Sequence, residues 1–221
     1  MRFNRNNIFK ILKSPAFSIF LILLFHVSGL IGLQTSSREW FLALTPLNLL
    51  VSFVALFIHE DFKNRRLIFF ILLILCAGFL IEVIGVNTGL VFGQYAYGPV
   101  LGFKIFNTPL MIGFNWLILV FCVGLLLGKI KLQTLYKSLI GALIMTLCDY
   151  IIEPVAIGFN FWTWQGGTIP IQNYIAWYLF SLLFLFLFYR FKIESTNKVA
   201  SWLLATQIIF FLSLNLLNLK H

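Results

Sequence analysis

Apolar residues lie along the chain in long runs that are separated by short polar stretches. A helix needs about 20 predominantly apolar residues to cross the roughly 30 Å hydrocarbon core of a bilayer. Runs of that length predict seven membrane-spanning helices, at residues 15–33, 41–59, 67–84, 109–128, 138–158, 171–189 and 199–217. The pattern therefore predicts an all-α, polytopic transmembrane helix bundle, which we take as a single integral-membrane domain over residues 1–221.

Composition and charge agree with this pattern. The chain is 61% hydrophobic and 10% charged, whereas about a quarter of the residues of a soluble protein are charged. Nearly all of the 16 Lys and Arg residues fall before the first span or in every second connection. The positive-inside rule then puts the N-terminus in the cytoplasm and the C-terminus outside. We expect a multi-pass protein of the cell membrane that contacts membrane lipid through its basic residues and binds no nucleic acid.

Two connections on the predicted external side differ from the others, at residues 85–108 and 160–170. In the first, Gly85, Gly89 and Gly93 are spaced four apart, which on a helix would form a packing face of small residues. The alternative is a re-entrant or packed loop that is buried in protein or lines a wet cavity. Long loops are often functional, so we predict that any chemistry takes place in the outer half of the bundle.

Three acidic residues, Glu82, Asp149 and Glu153, fall inside predicted spans. Acids at this depth are costly, and they usually face the bundle interior for a functional reason. Asp149 and Glu153 are four residues apart and share one helix face. Two close carboxyl groups in a medium of low dielectric cannot both ionise, so the group should hold at least one proton at neutral pH. The acids thus predict a proton donor, although protonated acids that only join helices would give the same pattern.

Aromatic residues are dense around the predicted acid layer. A belt of aromatic side chains at the membrane interface would explain many of them, but aromatic faces also attract cations. Acids and aromatics together favour a reaction in which an apolar substrate is protonated and the carbocation is shielded. The sequence has no histidine box, no G-x-G-x-x-G dinucleotide motif and no aspartate-rich diphosphate motif, so we expect no cofactor and no metal.

Two blocks of residues resemble a known family. The first is ExxGxxTGxxFGxYxYGxxLG, from Glu82 to Gly102, followed by Pro109 and Trp116. The second is DYIIEPVA from Asp149, followed by WTW, IPIQN and Trp177. Over residues 79–178 the chain is similar to the integral-membrane carotenoid biosynthesis family that includes the carotenoid 1,2-hydratases.

The resemblance implies addition of water across the terminal C1,C2 double bond of an acyclic carotenoid end, as in lycopene or γ-carotene. On this hypothesis Asp149 or Glu153 is the general acid, and Glu82 orients the water or accepts its proton. The substrate-binding residues would be Asn87, Thr88, Tyr95, Tyr97, Trp116, Trp162, Trp164, Asn173 and Trp177. The expected partners are the carotenoid substrate and other enzymes of carotenoid biosynthesis.

Three other functions fit the same residues. A lycopene cyclase begins with the same protonation, but a neighbouring double bond captures the cation. A proton-coupled transporter would use buried carboxyl groups as a relay. A carotenoid-binding or assembly subunit would hold the pigment without reacting.

Overall fold

The computed structural model describes residues 13–218. The basic residues Arg2, Arg5, Lys10 and Lys220 lie outside this range, as do the two chain ends whose sides of the membrane were predicted from charge.

Six long apolar helices form the bundle, and each has the length and composition to cross a membrane. They are α1 (Pro15–Gly32), α4 (Arg65–Thr88), α5 (Met111–Gly128), α6 (Thr134–Gly158), α7 (Ile171–Arg190) and α8 (Lys198–Asn218). They correspond to six of the seven predicted spans, so the predicted fold class, a polytopic transmembrane helix bundle, is confirmed.

The second predicted span is not one helix. Residues 38–57 form two shorter helices, α2 (Arg38–Ala43) and α3 (Thr45–Phe57), which meet at Leu44. Pro46 stands in the first turn of α3, where its missing N–H is tolerated, but it cannot continue the preceding helix. At 1.5 Å per residue the 13 residues of α3 are about 20 Å long, less than the hydrocarbon core. The prediction of a continuous span at 41–59 is therefore wrong.

Helix α4 extends one turn beyond its predicted end. It continues to Thr88 and stops at Gly89, which has the left-handed conformation (φ 69°) that glycine adopts without a steric penalty. Gly85 thus lies inside the helix, where a Cβ atom would stand 2.7 Å from the Phe92 ring. The glycines therefore have different roles: Gly85 lets the following segment pack on the helix, and Gly89 ends it.

The two unusual outer connections pair with each other. Strand β1 (Tyr95–Tyr97) follows α4, strand β4 (Trp162–Trp164) follows α6, and the two form an antiparallel ribbon. A second small sheet is a hairpin of β2 (Lys104–Ile105) and β3 (Thr108–Pro109). The β1–β4 ribbon thus joins the ends of α4 and α6, which are distant in sequence, and it packs against both helices.

Helix α5 lies at the centre of the bundle. It contacts α3, α4, α6, α7 and α8, and most of its residues are buried. Trp116, in its second turn, is fully buried. Side chains at this end of α5 therefore lie between the helices that carry the three acids and beneath the β1–β4 ribbon.

Candidate functional site

Three buried carboxyl groups line one pocket beneath the ribbon. Glu82 comes from α4, and Asp149 and Glu153 come from adjacent turns of α6. Their side chains are 3%, 2% and 1% exposed. We call the pocket that all three line the acid pocket. Its far wall includes Asn173 and Trp177 from the first two turns of α7.

The pairing of β1 with β4 brings four aromatic side chains to one face of the ribbon. Alternate residues of a strand point to the same side. The register places Tyr95 opposite Trp164 and Tyr97 opposite Trp162, and these four side chains line the acid pocket. The residues between them, Ala96 and Thr163, are exposed. The Y-x-Y and W-x-W patterns of the two loops thus form a single array of hydrogen-bond donors.

Glu82 accepts three hydrogen bonds from this array and from α5. The hydroxyls of Tyr95 and Tyr97 donate to its Oε2 at 2.6 and 2.7 Å. The indole N–H of Trp116 donates to its Oε1 at 2.9 Å. Both carboxyl oxygens thus accept from donors, and these bonds offset part of the cost that burial imposes on the ionised form of Glu82.

Glu153 and Asp149 are joined through one amide. The indole N–H groups of Trp162 and Trp164 both donate to Oε2 of Glu153 at 3.0 Å. The amide nitrogen of Asn173 donates to Asp149 Oδ2 at 2.8 Å and lies 3.4 Å from Glu153 Oε1. The second oxygen of Asp149 has no hydrogen-bond partner among residues 13–218. Glu153 thus has three donors and Asp149 has one.

The two tyrosines remain donors over a wide pH range. Burial, followed by the nearby Glu82 carboxylate, raises the pKa of Tyr95 and of Tyr97 above the ordinary value for a phenol. Both hydroxyls are therefore protonated at neutral pH, as their hydrogen bonds to Glu82 require.

A larger apolar cavity adjoins the acid pocket. The acid pocket has a volume of about 30 Å³ and the apolar cavity about 410 Å³. Helices α1, α2, α3, α5, α6 and α8 contribute to the larger one. Four residues line both, and we call them the shared wall: Ile112, Asn115, Ile152 and Trp162. Leu24 and Trp40 also line the apolar cavity and are 47% and 62% exposed, so the cavity reaches the surface of the bundle.

Most of the residues singled out from the sequence lie at this site. The acid pocket is lined by Tyr95, Tyr97, Trp162, Trp164, Asn173 and Trp177. Trp116 lies behind them, bonded to Glu82 and stacked on Trp177 with ring centroids 4.0 Å apart. Of the predicted substrate-binding residues, Trp162 alone lines the apolar cavity.

Asn87 and Thr88 do not line either space. The Asn87 amide donates to the backbone oxygens of Val83 and Phe106 at 2.7 and 2.9 Å. The Thr88 hydroxyl donates to the backbone oxygen of Ile84 at 2.6 Å. Both side chains thus bond to the last turn of α4, and Asn87 also holds the β2–β3 hairpin against this helix. Their role in substrate binding stays a prediction that neither pocket supports.

Sequence reasoning predicted Trp162 but missed the other three residues of the shared wall. Ile112 and Ile152 are indistinguishable from the other apolar residues of their helices. Asn115 did carry a signal, because an amide inside an apolar span is costly unless it has a role. It also precedes Trp116, which contacts the acid pocket through Glu82.

Comparisons with known proteins agree with the resemblance seen in the sequence. The family model described as carotenoid biosynthesis protein matches residues 42–220. The chain is 32% identical over 112 residues to the bisanhydrobacterioruberin hydratase of Haloarcula japonica, a match that covers 45% of this chain and 36% of that protein. The chain thus matches little more than a third of the length of this relative, and no solved structure matches it. Since the family model covers most of the chain, including both loops and all three acids, the chain belongs to the carotenoid biosynthesis protein family.

Proposed function

We propose that this protein is a carotenoid hydratase of the cell membrane. It adds water across the terminal C1,C2 double bond of an acyclic carotenoid end of the lycopene or γ-carotene type. The observation that carries the proposal is the acid pocket with its unequal hydrogen bonding, placed against an apolar cavity that reaches the bundle surface. Membership of the family and similarity to a protein named as a hydratase support it.

The volumes of the acid pocket and of the apolar cavity fit the two reactants of the proposed reaction, water and a hydrocarbon end group. A water molecule needs roughly 10–15 Å³ of such space, so the acid pocket of about 30 Å³ has room for about two waters. The apolar cavity of about 410 Å³ lies in the range of small-molecule sites, roughly 300–1,000 Å³. The branched hydrocarbon end therefore occupies the apolar cavity, and its C1,C2 bond reaches the acids at the shared wall.

Asp149 is the proton donor in this proposal. Donated hydrogen bonds favour the ionised form of a carboxyl group, and Glu82 and Glu153 each receive three, whereas Asp149 receives one. The low dielectric of a buried pocket prevents all three acids from ionising together, and the acid with the fewest donated hydrogen bonds, Asp149, is the one that keeps its proton. The oxygen of Asp149 that lacks a partner among residues 13–218 is available to hold that proton.

The reaction then proceeds in two steps. The π electrons of the C1,C2 bond take the proton of Asp149 to form a C2–H bond, which leaves a tertiary cation at C1. The oxygen of a water molecule bonds to C1, and the proton that the oxonium group loses restores the acid form of Asp149. The carboxyl oxygens of Glu82 and Glu153 stabilise the cation electrostatically, and the neighbouring indole and phenol rings shield it.

The test is co-expression in bacteria that accumulate lycopene or γ-carotene, with mass spectrometry of the extracted pigments. We expect the mass of one water to be gained for each end that reacts. A product of unchanged mass with a shifted absorption spectrum would instead establish a cyclase. Unchanged pigment in both strains, with the protein present in the membrane, would contradict the proposal.

A further inference from the structure

Asn115 is the polar group of the shared wall with unused hydrogen-bonding capacity. Ile112 and Ile152 have apolar side chains, and the N–H of Trp162 is already bonded to Glu153. The Asn115 side chain lines both the acid pocket and the apolar cavity. Over residues 13–218, neither its amide oxygen nor its amide nitrogen has a hydrogen-bond partner.

An amide in this position suits a bound water molecule. Polar side chains inside proteins are nearly always hydrogen-bonded, and ordered water serves those that lack a protein partner. The acid pocket has room for about two waters, and Asn115 separates that room from the apolar cavity. A water at this point would lie between the carboxyl groups and the substrate.

Capture of the cation also requires a particular orientation of the water. The attacking lone pair must face C1, so both hydrogens must point away from the substrate. One hydrogen can be donated to a carboxylate of the acid pocket and the other to the amide oxygen of Asn115, which accepts two hydrogen bonds. The isoleucines of the shared wall cannot accept either hydrogen.

We propose that Asn115 is the water-positioning residue, and that it decides whether water captures the cation at C1. The inference rests on the proposed hydration. Without a held water, the cation loses a proton and returns to an alkene, or a neighbouring double bond captures it. Protonation by Asp149 does not need Asn115, so the two steps can be separated by experiment.

The experiment supplies preformed, unlabelled carotenoid to isolated membranes that contain the protein, and it follows both fates of the cation in heavy water. In D₂O the acid delivers deuterium to C2. A cation that then loses H⁺ from C2 returns to the alkene with deuterium in place of hydrogen, whereas a cation that water captures gives the hydrated product. Mass spectrometry gives the ratio of hydrated product to deuterated, unhydrated carotenoid. In Asn115→Leu, which keeps the side chain's approximate size, we expect this ratio to fall about tenfold, the effect of one hydrogen bond, while deuterium still enters the pigment. Asn115→Ser, which keeps a hydrogen-bonding group, should recover part of the ratio.

Two other amides provide matched controls. Asn48 and Gln207 line the apolar cavity but not the acid pocket, and their buried amide oxygens lack partners within the described residues. Asn48→Leu and Gln207→Leu should leave the ratio unchanged, whatever their effect on uptake of the pigment. Both products come from the same folded molecules, so a reduced yield of a variant does not alter its ratio.

The outcomes separate the two proposals. An unchanged ratio in Asn115→Leu, with hydration by the natural protein intact, would overturn the role of Asn115 alone. An equal fall in the two control variants would overturn it as well, because the effect would then belong to the general polarity of the cavity. If the natural protein neither hydrates the pigment nor incorporates deuterium, the proposed hydration itself is wrong.

Discussion

Replacement of Asp149 by asparagine should separate chemistry from folding. The amide oxygen of the new side chain can still accept the hydrogen bond that Asn173 now donates to Asp149 Oδ2 at 2.8 Å. The new amide nitrogen would then take the place of the oxygen that has no partner among the described residues. No bond within the pocket is lost, so we expect Asp149→Asn to fold and to reach the membrane at normal levels.

The effect on activity should be large. A positioned general acid contributes typically 10²–10⁴-fold to the rate, which corresponds to about 3–5 kcal/mol of the activation barrier. The amide has no proton of comparable acidity to deliver to C2. Hydration per folded molecule should therefore fall by about 10²-fold or more.

The assay is the pigment analysis described above, with the yield of folded protein measured by size-exclusion chromatography in detergent. Glu194→Gln is the matched control, because this acid is exposed in a connection away from the pocket and should be dispensable. More than a tenth of the natural activity in Asp149→Asn would refute the assignment of the donor. Loss of folded protein in place of activity would refute the hydrogen-bond argument.

Three further predictions concern the ribbon. Trp164→Phe removes the indole N–H that lies 3.0 Å from Glu153 and should lower hydration about tenfold. Thr163→Val changes the exposed face of the same strand and should leave hydration unchanged. Equal effects of the two variants on pigment conversion would contradict the orientation of the strand. Gly98→Ala places a Cβ atom 1.9 Å from the backbone oxygen of Asn160 and should lower the thermal midpoint in detergent by several degrees, and an unchanged midpoint would contradict this close contact. Folding raises the pKa of Tyr95 above its ordinary value of 10.0, so the unfolded chain releases this proton at a lower pH than the folded one. The stability that Tyr95 contributes is therefore complete below pH 10.0 and is lost as the pH rises above that value. Tyr95→Phe should make the alkaline decline in the unfolding midpoint shallower, and an identical decline would show that this tyrosine is not its source.

The sequence was sufficient to predict the bundle and the acids. Spans are set by length and hydropathy, which are local properties of the chain, and six long helices match the predicted ones. Glu82, Asp149 and Glu153 stood out because ionisable residues are rare in apolar helices. Their spacing placed two of them on one helix face, and the order of the spans placed all three in the same half of the bundle.

The parts that escaped prediction depend on contacts between distant segments. The strands of the β1–β4 ribbon have three residues each and come from separate loops, so their alternating aromatic residues do not reveal that the two strands pair. Asn87 and Thr88 looked available for binding because the helix was predicted to end before them. The apolar cavity is formed where six helices leave space between them. The identity of an apolar residue does not reveal whether its side chain borders a cavity or packs against another side chain.

The ribbon also has a consequence for comparison among relatives and for chimeric proteins. The β1 strand supplies two donors to Glu82, and the β4 strand supplies two to Glu153, while the backbones of the strands pair with each other. If one loop alone is replaced by that of a relative, its strand must pair with a strand of unmatched sequence. Poor pairing would displace the hydrogen-bond donors of both Glu82 and Glu153. The two outer loops thus form one structural unit, and they should be exchanged between family members only as a pair.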